Sequence, residues 1–540
     1  MIRSSRLKEL HRLIFGEKLF VLVLMLLAIG LPVAPFLVGF SQFFLLFNWA
    51  VEGHYKLKIQ RFKSNRALHY FLLLFFVHVI WLVNTKNFDY AFHDLKIKLP
   101  LLALPIIIAT SHSLSREQLK KVLLIFSATV VVGTFISLWI YMGWTNIVVT
   151  DIRYISIFVS HIRFGLMIVL AICILSFYFR SDYKKLSNKI KITYVLTLIW
   201  LLAFLLILQS ITSWVILFLL VFFVIIFYYK KLRYGSLRVG AWVLIITASV
   251  FVITLITTVI INSYNIDKVD IENLPKQTEL GNKYRHYTQS RVTENGHYVW
   301  LYYCYDELAE YWSKYSDYDF EGKDAKGQPL KFTLVRYLTS KNLPKDAKGL
   351  AQLNERDIEL IETGHASCVY GYQFTPYVKL YEVAWELKQY FLFGNPNAKT
   401  VSMRIEFFLA GSNIFKNNFL FGVGSGDVQD SFNDYYDKTS SRLLPKYRLR
   451  AHNQYLTFLI SFGLVGFTII VFAFVKPILM NKENYSALTF VFLVIMLLSM
   501  LNEDTLETQS GATIFAYFYA LLVLRRNSLK YRGVNNKLNE

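Results

Sequence analysis

The sequence predicts an all-α polytopic membrane protein of about twelve transmembrane helices, with one large, mostly helical outer loop between helices nine and ten. Three observations carry this. Of 540 residues, 55% are hydrophobic and only 18% charged, where soluble proteins charge about a quarter. The apolar residues come in long blocks, and a hydrocarbon core about 30 Å thick needs roughly 20 of them per helix. The basic residues gather in short turns between those blocks, which is the positive-inside pattern.

The blocks fall at about 17–33, 35–52, 68–84, 97–112, 119–142, 155–179, 191–209, 211–229, 239–263, 453–475, 485–501 and 511–525. The fourth is short and interrupted by Pro100 and Pro105, so a partly re-entrant segment is expected there. The first block follows a basic leader without a small-residue cleavage site, so it reads as a retained span. The organisation is thus 1–263 for helices one to nine, 264–452 for the outer loop, and 453–540 for helices ten to twelve with a tail.

Orientation follows from the turns. Arg3, Arg6, Lys8 and Arg12 precede span one, and Lys56, Lys58, Arg61, Lys63 and Arg66 follow span two. Arg180, Lys184, Lys185, Lys189 and Lys191 follow span six, and Lys230, Lys231, Arg233 and Arg238 follow span eight. Arg525, Arg526, Lys530 and Arg532 end the chain. With twelve spans all five clusters face the cytoplasm, as do both termini. The formal charge of +21 is therefore assigned to topology, and nucleic acid is not expected as a partner.

The segment 264–452 then lies outside and is too long for a plain connection. Apolar residues recur at helical spacing over Asp306–Tyr315, Glu355–Thr363, Tyr377–Tyr390 and Ser402–Phe415. Gly322–Gly327 and Gly394–Asn397 read as turns. Cys173 sits within a span as packing. Cys304 and Cys368 lie in the loop, either as a disulfide or as two separate thiols.

The chemistry-bearing residues cluster where the loop re-enters the membrane. Arg448-Leu449-Arg450-Ala451-His452-Asn453-Gln454-Tyr455-Leu456 leads into span ten, where Gly463 and Gly466 make a small, closely packing face. His452 reads either as a helix cap or as a titratable group at the membrane surface. Upstream stand Arg404 and the turn Gly422-Val423-Gly424-Ser425-Gly426. Such a turn lets the backbone approach a ligand, and its free amides would face an anion. It does not follow a strand in a βαβ unit, so a dinucleotide site is rejected.

Arg404, the glycine turn and the His452–Leu456…Gly463…Gly466 run together resemble the signature of the O-antigen ligase and polymerase superfamily. The topology resembles it too. The resemblance implies a C-type glycosyltransferase fold in the bacterial inner membrane. It implies transfer of a glycan from undecaprenyl pyrophosphate to lipid A–core at the periplasmic face, inverting and without a metal or other cofactor. The polymerase and a protein O-oligosaccharyltransferase of the same superfamily stand as alternatives, and a polysaccharide transporter as a reading from another class. Carried over, Arg404 would hold pyrophosphate, because a guanidinium pairs bidentately with phosphate and stays charged. His452 would be the base or a second phosphate ligand. Asn453 and the three glycines belong to the same binding region.

Ligases of the superfamily often carry Ser-Arg-Gly between spans seven and eight. Here Gln209-Ser210-Ile211-Thr212-Ser213-Trp214 has no arginine. Arg153 and Arg163, flanking His161 at the outer end of span six, are candidates to supply the contact; snorkelling and interhelical hydrogen bonding are the alternatives. Arg448 and Arg450 would face phosphate or lipid headgroups. Glu503, Asp504 and Glu507 form either an alternative base and acceptor-orienting group or a solvated acidic turn. No His-x-x-x-His or paired acidic motif points to a metal.

Overall fold

The computed structural model describes residues 16–147, 149, 152–229, 235–372 and 375–525. Arg3, Arg6, Lys8, Arg12, Lys230, Lys231, Arg233, Arg526, Lys530 and Arg532 lie outside them, as does the side chain of Arg238. The chain is mostly helical with almost no sheet. A helix stands at each of the twelve predicted blocks, starting with Glu17–Val33 and Pro35–Val51 and ending with Gln509–Tyr519. Among the described residues, six helices are long and apolar enough to cross a membrane, or seven if one bent pair counts as a span. The remainder fall short for visible reasons. Glu17–Val33 and Pro35–Val51 have 17 residues each, and Phe88–Thr110 carries Asp89, Asp94, Lys96 and Lys98.

Two expectations change. The fourth block is one continuous helix, Phe88–Thr110, with Pro100 and Pro105 inside it and Gln509–Tyr519 packed along it. A proline's missing hydrogen bond is tolerated where neighbouring helices surround the freed backbone. The basic turn after the second block is a short helix, Tyr55–Ser64, bent by 111° from Pro35–Val51. Its Arg61 donates to the carbonyls of Thr110 and Ser111, each at 2.9 Å. It thereby satisfies carbonyls that the end of Phe88–Thr110 leaves open.

The chain divides into two compact units. The first contains Met1–Phe227, Pro396–Ala398 and Met403–Glu540. Its apolar core runs from Phe20 through Phe126, Phe164 and Phe204 to Phe515 and Tyr519.

Within this unit the helix Gln454–Met480 is broken at Gly463, whose φ of 63° and ψ of −168° are not helical. A break leaves carbonyls before it and amides after it without helical partners. The glycine turn supplies both. Val423 and Gly424 donate to the carbonyls of Ile460 (2.8 Å) and Ser461 (2.9 Å), while Leu464 and Val465 donate to Phe419 (2.8 Å) and Leu420 (3.2 Å). On its other side the turn meets the end of Arg66–Ile80. Trp81 Nε1 donates to the Phe421 carbonyl at 2.6 Å, Asn84 Nδ2 to Gly422 at 3.0 Å, and Ser425 Oγ to His78 at 2.7 Å.

The amides of Gly422, Val423 and Gly424 are thus consumed by backbone carbonyls and that of Gly426 by Thr85 Oγ1 at 3.3 Å, and Gly422, Gly424 and Gly426 serve close packing. A Cβ at Gly424 (φ 105°) would stand 2.5 Å from the Asn84 carbonyl oxygen. Gly466 does pack closely, against Phe462 and Trp81. Replacing Gly463 by alanine forces a side chain into an essentially glycine-only backbone region, at about 1–3 kcal/mol, and sets its Cβ 2.3 Å from the Leu420 carbonyl. A thermal melt of Gly463→Ala in detergent is expected several degrees below wild type; an unchanged melt refutes this reading of the break.

The second unit contains Tyr228–Asn395 and Lys399–Ser402. Its core gathers Leu308, Trp312, Leu334, Tyr337, Leu338 and Ile361, and the helix Gly235–Tyr264 packs on Thr375–Phe393. The predicted helices appear as Tyr305–Trp312, Glu355–Glu362, Thr375–Phe393 and Thr400–Asn417, the last shared with the first unit. A further helix, Leu330–Ser340, is masked in the sequence because its β-branched and aromatic residues read equally as a strand. A two-residue hairpin, Thr293–Glu294 with His297–Tyr298, turns at Asn295 (φ 47°) and Gly296 (φ 88°). Cys173, Cys304 and Cys368 are all free thiols.

Candidate active site

The start of Gln454–Met480 is stitched to the acidic turn between Ala487–Ser499 and Gln509–Tyr519. Asn453 caps the helix by accepting from the Leu456 amide at 3.0 Å, and its Nδ2 donates to the Leu501 carbonyl at 2.9 Å. A capping residue of this type satisfies one of the amides a helix start leaves open. The Gln454 amide donates to the Met500 carbonyl at 2.9 Å. Gln454 then uses both ends of its side chain on the turn, donating to Glu507 at 3.0 Å and accepting from the Leu506 amide at 2.7 Å.

His452 precedes the cap with φ 48°, in the left-handed region. Side chains seldom adopt it unless the surroundings enforce it. Here Asp504 enforces it: one carboxylate oxygen accepts the His452 amide at 3.1 Å and the other accepts Thr457 Oγ1 at 2.7 Å. The imidazole lies 5.6 Å from the Phe407 ring. Phe407 and Arg404 are three residues apart on Thr400–Asn417 and so share a helix face. Arg404 donates to Asn502 Oδ1 and, at 3.3 Å, to Glu503 Oε1. Asn502 in turn donates to Thr212 Oγ1 at 2.8 Å. The turn that lacks an arginine is therefore linked to Arg404 through a single amide side chain.

Behind this layer sits a buried charge cluster. Glu507 accepts from Lys98 at 3.0 Å and stands 3.6 Å from Arg450. Lys98 also pairs with Asp94, one helical turn before it. The Arg450 guanidinium covers the Tyr90 ring at 5.5 Å.

Electrostatics follow from this packing. Burial alone would raise the Glu507 carboxyl; Lys98 and Arg450, with the Gln454 hydrogen bond, reverse that and hold it well below the usual range. Asp504 moves the other way. Burial and the Glu507 charge push it up to about 6, against Thr457, Arg450 and the His452 amide. Burial pushes the His452 imidazole down, Glu503 pulls it up, and Arg404 and Arg450 push it down; it ends below the ordinary histidine value. His452 is therefore neutral at pH 7 and able to accept a proton.

The structure thus brings together Arg404, His452, Asn453, Arg450, Glu503, Asp504 and Glu507. The acidic turn is not a solvated one: the Glu503 and Glu507 side chains are 16% and 7% exposed. Arg163, on the first turn of His161–Asp182, is half-buried and feels the Glu503 charge. Its Nε has no hydrogen-bond partner among the described residues. His161 opens the same helix, and Arg153 lies exposed on the short 3-10 helix Ile152–Ile155.

Arg448 is not part of the group. It pairs with Asp437, donates to the Leu443 carbonyl at 3.2 Å and lies over Tyr436. Gly422, Gly424 and Gly426 are likewise committed elsewhere, as described. Asn502, Thr212, Gln454, Thr457, Asp94 and Lys98 are the partners that sequence reasoning passes over. The one signal for them is Asp94 and Lys98 at i, i+4, at the charged edge of the fourth apolar block.

Residues 367–471 match the O-antigen ligase family, Wzy_C. The superfamily to which Arg404, the glycine turn and His452 pointed is the one found. The O-antigen ligase match contains those residues, with Arg448, Arg450 and the broken helix at Gly463, and ends before the acidic turn that holds them. No curated protein matches the chain. The O-antigen ligase match points to a glycosyltransferase-like enzyme, and with the apolar helices it points to a multi-pass membrane protein.

Proposed function

We propose that this protein is an O-antigen ligase. In this reading it moves a glycan from undecaprenyl pyrophosphate to lipid A–core at the periplasmic face of the inner membrane. In this reading twelve spans leave both termini in the cytoplasm and the segment 264–452 outside, although its last part, from Met403, belongs to the first compact unit.

The observation that carries the proposal is that Arg404 and His452, both inside the segment that matches the ligase family, meet over one acidic turn beyond it. An acceptor hydroxyl attacks the anomeric carbon on the face opposite the pyrophosphate. A new glycosidic C–O bond forms, and the bond to pyrophosphate breaks with its electron pair leaving on the phosphate oxygen. The hydroxyl proton passes to neutral His452. Arg404 meets the developing negative charge, exchanging its 3.3 Å contact with Glu503 for a phosphate oxygen. Arg163 supplies the second cation, in place of the arginine absent from Gln209–Trp214, because its Nε is buried without a partner among the described residues. Arg450 stays with Glu507 and adds positive potential from behind.

The test is a lipopolysaccharide gel of the deletion strain. A ligase predicts full-length carrier-linked glycan and none on lipid A. A polymerase predicts single repeat units on lipid A. Complementation with wild type restores the ladder and Arg404→Ala does not. A normal ladder in the deletion strain refutes the ligase and polymerase readings together.

A further inference from the structure

The second unit holds two adjoining clefts to which the transfer chemistry gives no task. One, of about 260 Å³, is lined by Asp267, His297, Tyr298, Tyr302, Asn342 and Lys345, among others. The other, of about 300 Å³, includes Asn262, Asn265, Asn295 and Tyr377 in its wall. Asp267 lines both.

Lys345 is the informative residue. It is 3% exposed, yet its ammonium makes one hydrogen bond among the described residues, to the Tyr298 carbonyl at 3.2 Å. An ammonium has three donors, and a buried cation is costly unless its donors are used. Asp346 beside it does not use them: its oxygens accept from Tyr284 and from the Gly349 amide. The position is fixed by backbone. The Lys345 amide donates to the Tyr302 carbonyl at 2.9 Å, and its carbonyl accepts from Cys304 at 2.9 Å. Burial drives the ammonium down to about 8, so it still carries its charge at pH 7.

The rest of the wall is polar. Asn295 and Asn342 take left-handed turn positions that asparagine favours, and Tyr302 (φ 53°) takes a left-handed backbone that a bulky side chain seldom adopts. Asp267 pairs with His297, and its amide donates to the Gly296 carbonyl at 3.0 Å.

We infer that these clefts bind an acidic saccharide, with the Lys345 ammonium on its carboxylate or phosphate. Planar amides and a carboxylate suit the paired hydroxyls of a sugar ring, and Tyr298 and Tyr302 in the wall add aromatic surface for its apolar side. The inference gives the outer domain a glycan subsite, and its purpose rests on the transferase reading above. The acid group can come from the donor glycan or from the core of the acceptor.

The test uses the full-length protein in lipid nanodiscs. Two probes are titrated, each released from the host lipopolysaccharide: core oligosaccharide and O-glycan. Wild type is expected to bind one of them, which identifies the source. Lys345→Met is expected to bind it about tenfold more weakly, with an unchanged or raised melting temperature, since an isosteric apolar side chain relieves a desolvated charge. Asp267→Asn, on an exposed loop, is expected to weaken the same probe without affecting the fold. Failure of both probes to bind wild type, or equal binding by Lys345→Met, overturns the inference. The deletion strain separates the two ideas. Normal transfer by the His452→Ala protein sinks only the base assignment; a normal lipopolysaccharide ladder in the deletion strain sinks the transferase reading, while the dependence of binding on Lys345 stands.

Discussion

The His452→Ala protein is expected to transfer glycan about 10²–10⁴ times more slowly than wild type, the loss associated with removing a general base. It should fold normally, because Asp504 holds residue 452 through its backbone amide rather than its ring. A gel time course in the complemented deletion strain measures it, with His452→Gln as a polar control. The pH profile gives an independent check. Burial, Arg404 and Arg450 hold the imidazole below the ordinary histidine value, with Glu503 opposing. The neutral base therefore persists below pH 6.5, and the acid limb of activity lies lower than a free histidine would set it. Glu503→Gln removes the upward pull and shifts that limb further down. The same depression makes the unfolded chain the better proton acceptor, so stability from this group falls as pH drops below the unfolded value. An acid limb that ignores Glu503→Gln, or full transfer by His452→Gln, rules out the base assignment.

Glu507→Gln is the substitution expected to unsettle the whole site. It leaves Lys98 with Asp94 alone and Arg450 with no carboxylate within 4 Å among the described residues. Removing one partner from a buried pair costs about 3–5 kcal/mol. Because Lys98 retains Asp94, the lower end is expected, read as a fall of several degrees in the melting temperature. A double-mutant cycle with Lys98→Gln should show coupling above about 1 kcal/mol; additive effects would count against the cluster.

The pH signs in this turn are opposed. Glu507 is depressed, so its contribution is present above the unfolded carboxyl value and lost as pH falls through the folded one. Asp504, raised to about 6, contributes fully below its unfolded value and loses that contribution as pH rises through about 6. Glu507→Gln also removes the charge that helps to raise Asp504, so Asp504 should titrate lower in that variant.

The acidic turn shows where sequence reasoning stops. Asn502–Glu507 looks solvated because its residues are polar and lie between two apolar blocks. Nothing local reveals that Lys98, Arg404 and Arg450 converge on it from helices far away in the chain. The glycine turn fails in the same way. Gly422, Gly424 and Gly426 permit both an anion nest and a close backbone approach. Only the break at Gly463, opposite them, decides for the second. Arg448 and Arg450 are two residues apart and chemically alike, yet one faces Asp437 and the other Glu507.

Sequence alone located a helix at each of the twelve apolar blocks and the Arg404, glycine-turn and His452 signature. Apolar periodicity and charge bias are properties of neighbouring residues and survive in the unfolded chain. The tertiary structure alone decided which charges are buried, which amides are spent on backbone, and which arginines belong to the site. Those outcomes depend on pairing across hundreds of residues, where burial multiplies the strength of each charge interaction and only the packed helices set the distances.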